Sequence, residues 1–227
     1  MQLIIDNITI DVTKKNIKNI NLYVKRPDGH VVITAPYTVS DQCIIQFAQD
    51  HLDWIKAKQT KIQQQPKPKT NQYQTGDTLY VFGQPYQIEL QYHKHKYAIR
   101  LEDGKAILQV RENSTIAQRE HYINEWYRSL LKQEIEPLLS QWQQRLDLHA
   151  QSWQIKKMKT KWGYCDIGKQ KLVFNLQLAQ QAQEFLEYVI LHELLHLQVP
   201  HHGQAFIALL DHHMPQWKEI EQTYKQL

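Results

Sequence analysis

The sequence predicts an α+β fold, with a β-rich first half, a helical second half and a short sheet beside one buried helix. Three observations support this prediction. β-branched and alternating apolar residues recur between residues 1 and 36 and again between residues 78 and 110. Apolar residues take helical spacing from Ile116 onward. The apolar stretch "YVILHELLHL" is long enough for a buried helix and is closed by Pro200.

Strands dominate the first half. The segments "LIIDNITIDV" and "HVVITAP" have strand patterns, and a helix follows from Ser40, a good N-cap, to about Lys58. The polar, proline-containing segment "KIQQQPKPKTNQYQ" is then predicted to be a loop. Four more strands are expected in "TLYVF", "YQIELQY", "YAIRL" and "AILQV", with turns at "GQP" and "EDG". No internal repeat is visible in the sequence.

Helices dominate the second half. A long helix is predicted from Ile116 to about Leu148, kinked or split at Pro137. The segments "WQIKKMKTKWGYC" and "KLVFNLQLA" are predicted to be two strands, followed by the helix "QEFLEYVILHELLHLQV" and a last helix over 203–213. This change of pattern places a domain boundary near residue 112, giving regions 1–112 and 113–227. A single α+β unit is the alternative.

Composition excludes several classes of protein. The net charge of +4 is only mildly basic, so charge alone does not indicate a nucleic-acid partner and leaves that partner undecided. No apolar run reaches the roughly 20 residues that span a bilayer, and the N-terminus lacks the features of a signal peptide. With Cys43 and Cys165 as the sole cysteines, a disulfide framework is not expected. We therefore expect a cytoplasmic protein with no membrane association.

The segment "HELLHLQVPHH" has the spacing of a metal site. On a helix, His192 and His196 project from the same face, one turn apart, so that two imidazole nitrogens can reach one ion. Glu193 follows the first histidine and lies near such an ion without pointing at it, where a carboxylate can accept a proton from a metal-bound water. A third ligand is needed for a catalytic zinc site, and the turn at Pro200 presents both His201 and His202.

The alternative is a partly exposed helix face whose histidines bond to water. The strongly apolar surroundings of these histidines argue against it, because polar side chains on a buried helix need partners.

The stretch from Met158 to Trp217 resembles the YgjP-like metallopeptidase family, which is related to SprT-like and other zincin proteases. The resemblance rests on "KWGYC", "LVFNLQL", "YVILHELLHL", "HHGQAF" and "MPQW", in that order, and weaker similarity extends into the N-terminal half. It implies a zincin-like domain over 113–227, with His192, His196 and His202 as zinc ligands and Glu193 as the catalytic acid and base. His201 replaces the usual Asn of the family, and Tyr164 replaces the usual Ser.

The expected function is that of a zinc-dependent metallopeptidase that acts on a peptide or protein through a zinc-bound water activated by Glu193. The strand "KLVFNLQL" is the candidate edge strand for aligning that substrate, and Tyr164 is a candidate partner for the developing oxyanion. The alternative is a metal-dependent, pyrophosphatase-like hydrolase of nucleotide phosphoanhydrides, whose phosphates would bind lysines 157, 159 and 161 on one strand face. A non-catalytic zinc module is disfavoured, because it has no need for Glu193.

Overall fold

The computed structural model describes residues 1–25, 28–64, 71–94 and 97–224. These residues form two compact units, Met1–Thr70 and Asn71–Leu227. The described residues contain six α-helices and three sheets, which confirm the α+β class. The boundary expected at residue 112 falls inside the second unit, because the strands that follow residue 71 share one hydrophobic core with the C-terminal helices. The middle of the predicted loop, residues 65–70, lies outside the described residues.

The first unit is a four-stranded sheet with two helices. The sheet has the order β1-β2-β4-β3, with β2 and β4 parallel and the other pairs antiparallel. Alternation along β2 and β4 buries one face of the sheet against the helices, as in Ile10 and Ile33. The elements are β1 Gln2–Ile5, β2 Ile8–Lys15, β3 Asn21–Lys25, β4 His30–Pro36, α1 Asp41–Asp50 and α2 Leu52–Gln64.

The second unit begins with a sheet of the same topology. Its strands are β5 Thr78–Val81, β6 Gln84–Tyr92, β7 Ala98–Glu102 and β8 Lys105–Val110. Their order is β5-β6-β8-β7, with β6 and β8 parallel. The first hairpin of each sheet closes through two residues with positive φ, Asp6–Asn7 and Phe82–Gly83. The two sheets therefore repeat the same strand pairing and turn geometry, although no repeat is visible in the sequence.

A long helix crosses this unit. α3 spans Ile116–Leu146 and begins with a capping box formed by Thr115 and Gln118. It continues through Pro137, so the expected split does not occur. A buried stripe along α3 packs into the core of the second unit and consists of Ile123, Tyr127, Leu131, Ile135, Leu139 and Trp142.

The third sheet corrects two expectations. It contains β9 Ser152–Lys156, β10 Gly163–Asp166 and β11 Lys171–Asn175 in the order β10-β11-β9. β11 therefore lies in the middle, paired on both sides, so the prediction that "KLVFNLQL" is an edge strand was wrong. Residues 157–162 form a loop between β9 and β10, so the three lysines do not share a strand face. β10 is the edge strand nearest the predicted site.

The remaining helices surround one buried helix. α4 Gln183–Leu195 contacts α3, β10, β11, α5 Gln204–His213 and α6 Trp217–Tyr224. Most of its side chains are buried, and each Leu or Ile removed from water contributes about 1.5–3 kcal/mol. Across the described ranges, no helix is both long enough and apolar enough to cross a membrane.

Candidate metal centre

Three histidine side chains converge where α4 ends. His192 lies in the last turn of α4, His196 is its C-cap residue, and His202 lies just before α5. The Nε2 atom of His202 is 3.0 Å from Nε2 of His192 and 3.0 Å from Nε2 of His196. The structure thus brings together the three histidines that the family resemblance implied.

The chain after α4 fixes this arrangement. Pro200 cannot continue the helix, and the turn before it lets the Nδ1–H of His196 donate to the Val199 carbonyl at 3.2 Å. This bond leaves Nε2 of His196 unprotonated and facing its neighbours. Phe206 of α5 forms a floor beneath the cluster, with its ring centroid 4.8–4.9 Å from all three imidazoles.

The donor set suits a metal ion. All three nitrogens lie within 4.8 Å of one another, and a zinc ion with bonds of about 2.1 Å at tetrahedral angles needs them about 3.4 Å apart. Burial, assisted by the two neighbouring imidazoles, lowers the pKa of His192 to about 3, and burial also lowers that of His196. These rings therefore stay neutral at physiological pH, with lone pairs available to a cation.

The two candidates for the third ligand lie in different positions. His202 belongs to the converging group, whereas His201 is exposed and is not part of it. In the described part of the chain, no other group of three or more His, Cys, Asp or Glu side chains has metal-binding geometry.

Glu193 lies beside the cluster in a buried position. It is 7% exposed and packs against the backbone of Gly163 at the start of β10. Burial raises the pKa of Glu193 to about 8, opposed by the positive charge of Lys161. A carboxyl group with a pKa near neutrality can both accept and return a proton, which is the property needed for acid–base catalysis.

Gly163 provides the space for this carboxylate. A Cβ atom on residue 163 would lie 2.8 Å from both Cγ and Oε1 of Glu193, closer than real contacts allow. The sequence indicated a close approach at this glycine but not its partner, because the pairing joins residues far apart in the chain.

Gly163→Ala should displace the Glu193 side chain and reduce kcat/KM about 10–100-fold, because small displacements of catalytic groups are costly. Zinc stoichiometry should not change, because the three atoms nearest to the added Cβ all belong to Glu193 and not to a histidine. The matched control is Gly168→Ala, whose added Cβ would meet only Asp166 Oδ1 at 3.8 Å. Equal activity of the two variants would show that the contact with Glu193 is unimportant.

The other predicted residues of β10 lie near the site. Tyr164 and Cys165 both line the cleft that Glu193 and the three histidines border. Burial is the main factor that raises the pKa of Cys165 to about 11, with Glu193 adding to the effect, so the residue is a thiol at neutral pH. Cys165 is not part of the metal-binding group.

Asn175 holds the loop that leads into β10. Its side chain is buried, donates to the carbonyls of Met158 and Lys161 at 3.0 and 2.7 Å, and accepts from the backbone N–H groups of Met158 and Gln177. Three of these four hydrogen bonds fix the backbone of the loop, and the fourth caps the turn that follows β11. This role explains why residues 157–162 leave the sheet rather than extending β9.

Asn175→Ala should destabilise the protein by about 2–4 kcal/mol, because several partly buried backbone groups lose their partner. The free energy of unfolding, measured by urea denaturation of the metal-free protein, tests this. Gln177→Ala is the matched control, since that side chain is exposed and should be replaceable without loss. A similar small effect for both variants would contradict the role of Asn175.

Comparisons with known proteins give three findings. The family model described as "YgjP-like, metallopeptidase domain" matches residues 18–227. The metallopeptidase zymogen jannalysin of Methanocaldococcus jannaschii shares 26% identity at a TM-score of 0.38, over 41% of this chain and 88% of that one. The metallopeptidase zymogen abylysin of Pyrococcus abyssi shares 21% identity at a TM-score of 0.37, over 39% and 90% of the two chains. No curated protein matches the sequence.

Proposed function

The chain belongs to the YgjP-like metallopeptidase family, and from this premise we propose that it hydrolyses peptide bonds with zinc bound by His192, His196 and His202. Glu193 is the proposed acid and base. The observation that carries the proposal is the convergence of three histidine Nε2 atoms next to a buried carboxyl group. Zinc is the proposed ion because three histidine ligands with one open position are a typical catalytic zinc donor set.

Each protein group has a defined task in this proposal. A bound zinc ion would supply Lewis acidity toward a water molecule and a substrate carbonyl. Glu193 accepts a proton from the attacking water and returns it to the leaving amine. Gly163 keeps the carboxyl group of Glu193 in place, and Phe206 keeps the three rings in register.

The proposed path of the substrate follows β10. This strand is paired on one side with β11, and it borders a cleft of about 340 Å³ that is also lined by Glu193 and the three histidines. An extended peptide can pair with a free strand edge through main-chain hydrogen bonds. This assignment replaces the sequence-based choice of "KLVFNLQL".

The nucleotide alternative has no support. The family match is to metallopeptidases, and the lysine-bearing strand face on which the alternative depended does not form. Lys157 instead forms an ion pair with Glu120.

Digestion of a peptide library, followed by mass spectrometry, tests the proposal. The zinc-loaded protein should generate new peptide termini, chelation should stop the reaction, and added zinc should restore it. A nucleoside triphosphate panel in parallel should remain intact. Intact peptides under all zinc-loaded conditions would contradict the proposed function.

A further inference from the structure

An aromatic pocket opens beside the proposed catalytic carboxyl group. It has a volume of about 320 Å³ and is bounded by the loop before β10, by α4 and by α6. Its apolar lining, which defines the aromatic pocket, consists of Trp162, Phe185, Tyr188, Val189 and Tyr224.

The aromatic pocket is continuous with the histidine cleft. The lining of both includes Gly163, His192 and Glu193. A peptide whose scissile carbonyl lies against the histidines therefore has a neighbouring side chain within reach of the pocket. This continuity identifies the occupant as part of the substrate.

The walls of the aromatic pocket support one another. Phe185 stacks on Tyr224 with ring centroids 4.3 Å apart, and Trp162 meets Phe185 edge-on at 5.2 Å. Tyr188 stacks on Trp217 at 6.4 Å. Because these rings pack against each other across α4 and α6, the pocket is preformed, which lowers the entropic cost of binding a side chain.

We propose that the aromatic pocket selects peptides with a large apolar side chain, preferentially aromatic, next to the scissile bond. This inference rests on the proposed peptidase function and adds a substrate class to it. Four aromatic walls offer faces and edges to an incoming ring, and such contacts add about 0.5–1.5 kcal/mol to simple burial. A small side chain would leave much of the volume unfilled.

The polar groups at the margin of the pocket oppose charged occupants. The Glu221 carboxyl group lines the pocket and disfavours an acidic side chain. A basic side chain would meet Lys161, and the Tyr188 hydroxyl already hydrogen-bonds to Glu221. An uncharged occupant avoids both conflicts.

Paired peptides that differ only by Phe or Ala beside the cleaved bond provide the test, with zinc-loaded enzyme. The wild type should prefer the Phe peptide at least about 10-fold in kcat/KM. Tyr224→Ala should reduce that ratio about 2–10-fold through loss of one aromatic wall, and Tyr224→Phe should retain it. Tyr92→Ala is the control, because this exposed aromatic residue is not among those that line the pocket.

A second variant tests the pocket independently if Tyr224→Ala does not fold. Thr160 is exposed at the rim of the pocket, so Thr160→Trp can fill the opening without disturbing the core. It should reverse the ratio in favour of the Ala peptide. Equal cleavage of the Phe and Ala peptides by the wild-type enzyme would overturn the pocket assignment while leaving the peptidase proposal intact.

Binding measurements separate the two proposals further. If no peptide is cleaved, the proposed function fails. The pocket assignment is then tested by calorimetry, which measures the affinity of zinc-loaded Glu193→Gln protein for the Phe and Ala peptides. Tighter binding of the Phe peptide than of the Ala peptide, weakened by Thr160→Trp, supports the assignment. Equal affinities overturn it.

Discussion

His202→Ala should abolish stoichiometric zinc binding, whereas His201→Ala should leave it nearly unchanged. Nε2 of His202 is 3.0 Å from Nε2 of both other histidines, while His201 is exposed outside the group. Loss of a partner that only orients a ligand costs 10–100-fold in metal affinity, so loss of a ligand should lower it by at least about 100-fold. Competition with a chromophoric chelator measures the affinity.

This pair of variants is well matched. Both histidines are exposed and adjacent, so neither substitution should disturb the hydrophobic core. Circular dichroism of the metal-free variants should show the same folded content as the wild type. If His201→Ala loses zinc and His202→Ala keeps it, the third ligand has been assigned to the wrong residue.

Glu193→Gln should reduce kcat about 10²–10⁴-fold while zinc content stays at the wild-type level. The substitution preserves size and removes the group that accepts and returns the proton. Elemental analysis and peptide cleavage must be measured on the same preparation. Undiminished cleavage at full zinc occupancy would exclude Glu193 as the acid and base.

In the metal-free protein, Glu193→Gln should also change how the free energy of unfolding depends on pH. Burial raises the pKa of Glu193 from 4.5 to about 8, so between these pH values the folded state retains a proton that the unfolded chain has released. Glu193 therefore lowers the free energy of unfolding of the wild type as the pH rises from 4.5 to about 8. Glu193→Gln should match the wild type near pH 4 and exceed it by a few kcal/mol at pH 8 in urea unfolding. Parallel pH profiles would contradict this.

The predicted metal centre rests on local features of the sequence. The four-residue spacing of His192 and His196 fixes their common face on any helix, and the position of Glu193 follows from the same geometry. Pro200 marks the turn that brings His202 back. The choice between His201 and His202 depended on family resemblance, because two adjacent residues after a turn cannot be separated by helical spacing.

Non-local features were the ones that sequence reasoning missed. The central position of β11 depends on pairing with β9 and β10, which no local pattern specifies. The loop at 157–162 depends on Asn175, a residue from another strand. The contact of Gly163 with Glu193 and the floor provided by Phe206 likewise join separate segments. These contacts arise only when the chain is folded.

The repeated sheet topology is a further example. The sheets β1–β4 and β5–β8 share strand order and pairing directions, although their sequences show no repeat. Strand pairing is made by backbone groups, so many side-chain patterns satisfy the same arrangement.

We propose that His192, His196 and His202 together hold one metal ion in front of Glu193. Crystals of the zinc-loaded protein, measured at the zinc absorption edge, test it most directly through an anomalous difference map. We expect one strong peak about 2.1 Å from Nε2 of all three histidines. A zinc-loaded crystal with its peak at Cys165 or His201, or with no peak among these three rings, would contradict it.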